Sequence, residues 1–164
     1  MERVIVEKQE ITQALRKLSY GFYILTAGNE NDKAAGTICW ASQVSFEPPQ
    51  IMVAVKHDSH LNKVVKEAGS FALNVVGKAE KPSLSNFNRE TKLDDGKING
   101  HAYQEGETGA PLLDGFPTII ECKVVEQNQP GDHTIFVGEV VNTIVNNKDA
   151  EPLMVWETDL RYGG

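Results

Sequence analysis

The hydrophobic positions of the chain fall mostly into short runs rich in β-branched and aromatic residues, a pattern that predicts strands. Clusters of Gly, Pro, Asn and Asp separate these runs and are typical of turns. The turn at 128–132, which holds Pro and Gly between two long runs, predicts a β-hairpin. The pattern therefore predicts seven strands, at 22–26, 33–45, 50–56, 70–76, 117–127, 133–145 and 151–160.

Helical periodicity is confined to three shorter segments. The spacing of apolar residues predicts an amphipathic helix over 11–18. The stretch 58–69 predicts a second helix, with Asp58 or Ser59 as its N-cap and a glycine at its end. A third, short helix is predicted within 80–90, with a proline in its first turn. Because most strands are not followed by a helix, the chain predicts a mainly β, antiparallel barrel rather than a doubly wound sheet.

Glycines and prolines mark three special places. Residues 90–116 are rich in Gly and charged residues without a sustained period, which predicts a long loop of functional importance or a lid. Gly36 predicts a bulge or a close approach within its strand. Pro48 and Pro49 cannot join a strand ladder, so they predict an extended corner between two strands.

Length and charge restrict the class of protein. The chain has 164 residues, which favours one domain spanning 1–164. Its net charge is −7, from 16 basic and 23 acidic residues, and no basic run interrupts the acidic balance, so nucleic-acid binding is not expected. The longest apolar run, 51–55, is too short for a membrane span or a signal peptide. The sequence predicts a cytoplasmic protein that does not bind membranes.

The common catalytic motifs are missing from the sequence. It contains no glycine-rich dinucleotide fingerprint, no P-loop, no zincin motif and no hydrolase elbow. Cys39 and Cys122 lie in apolar stretches without a C-x-x-C spacing, which predicts two buried thiols. His57 and His60 are spaced as a metal pair, but a zinc site needs three or four protein ligands, so no metal is expected.

Four stretches in order resemble the flavin reductase-like, FMN-binding split-barrel proteins. They are LRKLSYGFYILTAG, GTICWASQVSFEPPQIMVAV, FALNVV and GDHTIFVGEV, and the resemblance extends over about residues 11–160. It implies an antiparallel Greek-key split β-barrel with a few short helices. It also implies FMN as the cofactor, with FAD as an alternative, and NADH or NADPH as the reductant.

The resemblance places the flavin ring along the second predicted strand. Backbone N–H groups of this segment would meet the polar edge of the isoalloxazine, and Trp40 would cover the ring. Without the resemblance, the alternation of side chains in this segment predicts an ordinary half-buried strand. The implied ring-binding residues are Thr37, Ile38, Cys39, Trp40, Ala41 and Ser42.

The flavin phosphate is expected at the start of the second helix. Lys56, Ser59 and His60 would bind it, because a helix N-terminus attracts anions and the side chains add a hydroxyl and positive charge. Many relatives have a hydroxyl where this chain has Leu61, and a plain N-cap is the alternative interpretation.

Two further places follow from the resemblance. Phe87 and Asn88 match a region that closes over the flavin in relatives, although Phe87 would otherwise be a core residue. His133, in the Gly-Asp-His turn, is implied as the catalytic residue on the reductant side, where it would orient the nicotinamide without acting as an acid or base. A purely structural histidine in a hairpin turn is the alternative.

The resemblance implies an FMN-dependent oxidoreductase that takes a hydride from NAD(P)H and passes electrons to free flavin, a partner protein or another acceptor. The alternatives are a flavoredoxin-like electron-transfer protein with little direct NAD(P)H activity, and a binding module that has lost the cofactor. Relatives are homodimers with the flavin near the subunit interface. Trp156 and the tail 161–164 are expected to contribute to that contact.

Overall fold

The computed structural model describes residues 7–164, and strands make up most of its regular structure. These residues form eleven strands in two antiparallel sheets, which confirms the predicted mainly β, antiparallel class. The strands are β1 (Tyr23–Gly28), β2 (Lys33–Ile38), β3 (Ala41–Ser45), β4 (Gln50–Lys56), β5 (Ser70–Val75), β6 (Leu93–Asp94), β7 (Lys97–Ile98), β8 (His101–Glu105), β9 (Pro111–Leu113), β10 (Thr118–Asn128) and β11 (His133–Val145).

The larger sheet has seven strands in the order β2-β1-β5-β10-β11-β4-β3. Its two edge strands, β2 and β3, are consecutive in the sequence and are joined only by Cys39 and Trp40. The sheet therefore curls until its two edges meet at this corner, which is the geometry of a barrel split along one seam. The hairpin predicted around 128–132 joins β10 to β11.

The prediction of one continuous strand over 33–45 was wrong. The chain pairs with β1 up to Ile38, and from Ala41 onward it pairs with β4 at the other edge of the sheet. The backbone N–H of Ala54 already donates to the Trp40 carbonyl at 2.9 Å. The change of partner strand at Cys39 and Trp40 breaks the element although the side-chain alternation continues.

The prediction of a long loop over 90–116 was also wrong. This segment forms the second sheet, in the order β6-β7-β8-β9. Asp95, Gly96, Asn99 and Gly100 adopt positive φ in the two tight turns of its first strands. The glycines that suggested an irregular loop are therefore turn residues.

The strand predicted at 151–160 was not found. Single bridges join Pro152 and Met154 to the main fold, and a 3₁₀ helix follows at Val155–Glu157. Leu153 accepts a hydrogen bond from the Phe22 N–H and donates to the Val76 carbonyl. The segment thus crosses the ends of two strands instead of extending an edge.

In the described part of the chain, three α-helices accompany the sheets: α1 (Lys8–Leu15), α2 (His60–Ala68) and α3 (Leu84–Phe87), which follows a 3₁₀ helix at Lys78–Ser83. Ser59 caps α2 by accepting the Asn62 N–H at 3.1 Å, and Gly69 ends α2 in the left-handed conformation, as predicted. None of the residues of α1 is buried, and this helix ends before Leu18. No helix in residues 7–164 is long and apolar enough to cross a membrane.

The core between the main sheet and α2 leaves little room for additional atoms. Phe71 and Phe136 are fully buried there, and a Cβ at Gly138 would lie 2.7 Å from the Phe71 ring. Cys39 and Cys122 are both free and buried, which confirms the prediction. Burial raises the pKa of Cys39 to about 11, and burial with the neighbouring Glu121 raises the pKa of Cys122 to about 12.

Glu121 connects the main sheet to the turn before β9. Its side chain is buried and accepts hydrogen bonds from the Thr108 N–H and hydroxyl, both at 2.7 Å, and from Asn142 at 3.1 Å. Burial alone would raise the pKa of Glu121, but these hydrogen bonds outweigh it and lower the pKa below its ordinary value. The ionised carboxylate of Glu121 therefore holds this turn against the main sheet by hydrogen bonds.

Candidate functional site

Most of the predicted site residues gather around β4, on the face opposite the core. Val53 and Val55 point into the core, whereas Ala54 and Lys56 belong to the other face. His133, the first residue of β11, pairs directly with Lys56, the last residue of β4. Two pockets open on this face, and Ala54 lines both.

The first of these, the α2 pocket, has a volume of about 490 Å³ and lies between β2, the start of α2 and the end of α3. It brings together most of the residues predicted for the flavin. These are Thr37, Ile38, Lys56, Ser59, His60, Phe87 and Asn88. The Phe87 side chain itself is buried in the core and contacts His101, with ring centroids 4.9 Å apart.

The α2 end of this pocket has the features of an anion site. The Ser59 hydroxyl donates to the Lys56 carbonyl at 2.8 Å while it caps the helix. The N–H groups of His60 and Leu61 belong to the first turn, where the helix supplies no acceptor and its dipole favours negative charge. His60 Nε2 lies 2.8 Å from Asp32 Oδ2, and this hydrogen bond lowers the pKa of Asp32.

Sequence reasoning missed Arg89 and Thr91, which also line the α2 pocket. The Thr91 hydroxyl accepts the Ala35 N–H at 3.0 Å and donates to the Ala35 carbonyl at 3.2 Å, so it satisfies the free edge of β2. Arg89 donates from Nε to the Ser85 carbonyl at 3.0 Å and adds positive charge near the anion site. The only sequence signal was their place at the end of the stretch 80–90 that predicts the third helix, with Arg89 inside it and Thr91 directly after it.

One residue of β2 that lines this pocket, Thr37, has a polar side-chain atom without a partner among the described residues. The Thr37 hydroxyl oxygen is buried and has no hydrogen-bond partner in residues 7–164. Gly36, next to it, pairs in regular register with Leu25, and its Cβ would lie 3.2 Å from Leu61. Gly36 is therefore a close approach to α2 and not a bulge. A buried hydroxyl without a partner is costly, which suits a bound group with a polar edge.

The second, the Trp40 pocket, has a volume of about 550 Å³ and a largely apolar lining that includes Tyr20, Met52 and Ile135. The structure therefore divides the predicted ring-binding segment 37–42 between two pockets. Cys39 lines neither, because its side chain packs into the core. The predicted residues found in this pocket are Trp40, Ala41, Ser42 and His133.

His133 is held on both sides of its ring. Nδ1 lies 2.7 Å from Asp132 Oδ1, and Nε2 lies 2.5 Å from the Tyr162 hydroxyl. Ionised Asp132 can only accept, so we assign the proton to Nδ1, and Nε2 accepts from Tyr162. The hydrogen bond with His133 lowers the pKa of Asp132, while burial raises the pKa of Tyr162. Trp40 packs beside His133, with ring centroids 4.5 Å apart.

Tyr162 was predicted only as part of a subunit contact, but it reaches the site of its own chain. It lines the α2 pocket, and its ring centroid is 5.1 Å from that of Trp40. A single aromatic residue in a glycine-containing tail carries no local signal for this position.

Comparisons with known proteins identify relatives of this chain. The chain matches the family of flavin reductase-like domains over residues 15–164. A ferric-chelate reductase (NAD(P)H) from Archaeoglobus fulgidus is 35% identical over 144 residues, which cover 86% of this chain and 84% of that protein. An FMN reductase (NADH) from Stutzerimonas stutzeri is 23% identical over 151 residues, which cover 92% of this chain and 85% of that protein.

A solved structure with the same fold is the flavin reductase of the styrene monooxygenase from Pseudomonas putida S12. It superimposes with a TM-score of 0.70 at 25% identity, over 84% of this chain and 86% of that one. Together with the matched domain and the ferric-chelate reductase relative, this likeness confirms the resemblance found in the sequence. The chain belongs to the flavin reductase-like family.

Proposed function

We propose that this protein is an NAD(P)H-dependent flavin reductase that binds FMN in the α2 pocket and receives the nicotinamide from the Trp40 pocket. The observation that carries the proposal is the meeting of these two pockets at Ala54, with the start of α2 in the lining of one and His133 in the lining of the other. A bound flavin supplies the ring that accepts a hydride and passes electrons on. The names and activities of the relatives support this reaction class.

The phosphate is assigned to the start of α2. Ser59 and the N–H groups of the first turn would donate to it, while Lys56 and Arg89 add positive charge. His60 contributes less, because Asp32 already accepts from its ring. One anion site at the end of the pocket suits the single terminal phosphate of FMN better than the diphosphate of FAD.

The ring edge is assigned to β2. The unpartnered Thr37 hydroxyl would bond to the polar edge of the flavin, and Asn88 lines the same pocket. Backbone contacts from Cys39 to Ser42, together with a covering role for Trp40, stay predictions from the resemblance. The protein would thereby orient the ring and exclude water from one face.

His133 is assigned to the nicotinamide side. Its Nδ1 proton is fixed on Asp132, so the ring is held rigidly against the Trp40 pocket. We infer that it orients the nicotinamide through Nε2. No proton transfer by His133 is needed, since the hydride passes between the two cofactor rings.

A homodimer is the proposed assembly. Phe46, at the end of the edge strand β3, is 89% exposed, and Trp156 is 70% exposed. Ile11 and Leu15 of α1 are also largely exposed. Apolar surface of this kind is typical of protein contacts. We expect light scattering to give twice the mass of the chain.

The cytoplasmic location and the redox partner protein stay predictions.

The proposal is tested by the visible spectrum of the purified protein before and after anaerobic addition of NADH or NADPH, with the released cofactor identified by chromatography. We expect bound FMN that is bleached rapidly by at least one nucleotide. FMN that stays oxidised with both would favour the electron-transfer protein instead. A protein that neither contains nor takes up flavin would contradict both functions.

A further inference from the structure

The C-terminal residues fold back over the wall between the two pockets. The Tyr162 ring lines the α2 pocket while its hydroxyl bonds to His133, which lines the Trp40 pocket. Gly163 lies against the Trp40 indole, where an added Cβ would be 3.5 Å from the indole carbons. Trp40 Nε1 is buried at this place and has no hydrogen-bond partner in residues 7–164.

The position of the Tyr162 ring conflicts with direct hydride transfer between a nicotinamide in the Trp40 pocket and a flavin in the α2 pocket. Hydride transfer needs the two reacting atoms within roughly 3–3.5 Å. A flavin in the α2 pocket and a nicotinamide in the Trp40 pocket must therefore share an open passage near Ala54. The phenol ring of Tyr162 is edge-on to Trp40 at 5.1 Å, and Tyr162 lines the α2 pocket together with Ala54.

We propose that Tyr162 occupies the stacking place of the nicotinamide ring and must be displaced by the nucleotide. This inference rests on the proposed function. Displacement would free His133 Nε2 and uncover the Trp40 indole N–H, so both become available to the entering amide. Tyr162 is thus a substrate-access residue that sets the apparent affinity for the nucleotide.

The tail is held weakly enough for such an exchange. Tyr162 is 43% exposed, and within residues 7–164 the neighbouring Gly163 carbonyl accepts only a long hydrogen bond from Arg16, at 3.5 Å. Arg161 donates to the carbonyls of Thr158 and Leu160, which precede it closely in the chain and do not attach the tail to the rest of the fold. A net hydrogen bond shifts an equilibrium by about 2- to 10-fold. When the binding-competent state is only partly populated, the apparent dissociation constant rises by the inverse of that fraction.

The first experiment measures the binding of NAD⁺ and NADP⁺ to the flavin-loaded protein after dithionite has reduced the flavin without oxygen, by titrating the long-wavelength charge-transfer absorption between the reduced flavin and the nicotinamide. We expect Tyr162→Phe to bind about 2- to 10-fold more tightly than the wild type, because it loses the His133 hydrogen bond. Tyr162→Ala should bind more tightly still. Leu160→Ala is the matched control, since this tail residue lines neither pocket, and its affinity should stay within about 2-fold.

A second readout follows the tail in the unaltered protein. Trypsin cleavage after the exposed Arg161 releases Tyr162 with the last two glycines, and intact mass reports its rate. If the nucleotide displaces the tail, NAD⁺ or NADP⁺ should accelerate this cleavage in the flavin-loaded protein.

The outcomes separate the two proposals. Bound flavin that NAD(P)H reduces, with nucleotide affinity unchanged in both Tyr162 variants or cleavage not accelerated, overturns the displacement alone. Bound flavin that neither nucleotide reduces overturns the proposed function and this inference with it. Tighter binding in the variants with faster cleavage of the wild type supports the displacement.

Discussion

Replacing Thr37 by valine should have opposite effects on the empty protein and on its complex with FMN. The Thr37 hydroxyl is buried without a partner in residues 7–164. Valine has nearly the same shape and suits a strand equally well. The variant therefore removes a desolvated polar atom without opening a cavity.

The expected magnitudes follow from that single atom. An unsatisfied buried polar group costs about 1–3 kcal/mol, so the free energy of unfolding of flavin-free Thr37→Val should rise by about 1 kcal/mol or more. Loss of one hydrogen bond to the flavin, worth about 0.5–1.5 kcal/mol, should raise the FMN dissociation constant by about 2- to 10-fold.

Urea denaturation of the flavin-free protein and a fluorescence titration with FMN measure the two quantities. Thr134→Val is the matched control, because the Thr134 hydroxyl is also buried without a partner in the described chain but lines neither pocket. It should gain stability and keep its FMN affinity. A less stable Thr37→Val, or one with the affinity of the wild type, would refute the assignment of this hydroxyl to the flavin.

Three other changes test the remaining structure. Glu121→Gln weakens the hydrogen bonds from Thr108, so the free energy of unfolding at pH 7 should fall by about 2–3 kcal/mol in urea. Because folding lowers the pKa of Glu121, its contribution is complete above about pH 5 and is lost as the pH falls further; equal pH slopes in variant and wild type would contradict this. Gly138→Ala places a methyl group against Phe71 and should cost about 1–3 kcal/mol, and an unchanged melting temperature would disprove the close packing. Ser59→Ala should lose about 1 kcal/mol of stability and bind FMN about 10-fold more weakly by titration; unchanged FMN affinity would remove Ser59 from the phosphate site.

The sequence predicted β4 and α2 well, because neighbouring residues determine where each of them begins and ends. The strand β4 was predicted with its observed bounds, because an apolar run stands between the Pro48–Pro49 corner and a polar turn. The helix α2 followed from a serine cap, an apolar face and Gly69. This helix begins directly after β4, which is why Lys56, Ser59 and His60 were expected to lie together, as they do in the lining of the α2 pocket.

The parts that were missed depend on distant contacts. The break at Cys39 and Trp40 arises because the chain pairs with β1 before it and with β4 after it. The alternation of side chains in the sequence does not indicate which strand is the partner. The short strands β6 and β7 are too short to show a period. The contact between His133 and Tyr162 joins residues 29 positions apart through the path of the tail.

The corner at Cys39 and Trp40 makes the site inseparable from the folding of the chain. Thr37 and Ala41 are near neighbours in sequence, yet they belong to opposite edges of a seven-stranded sheet. One edge contributes to the α2 pocket and the other to the Trp40 pocket, so the two pockets become adjacent only when the first and last strands of the sheet meet. A chain in which the two edges have not met would hold the walls of the two pockets apart, so the transfer that we propose between them requires the complete fold.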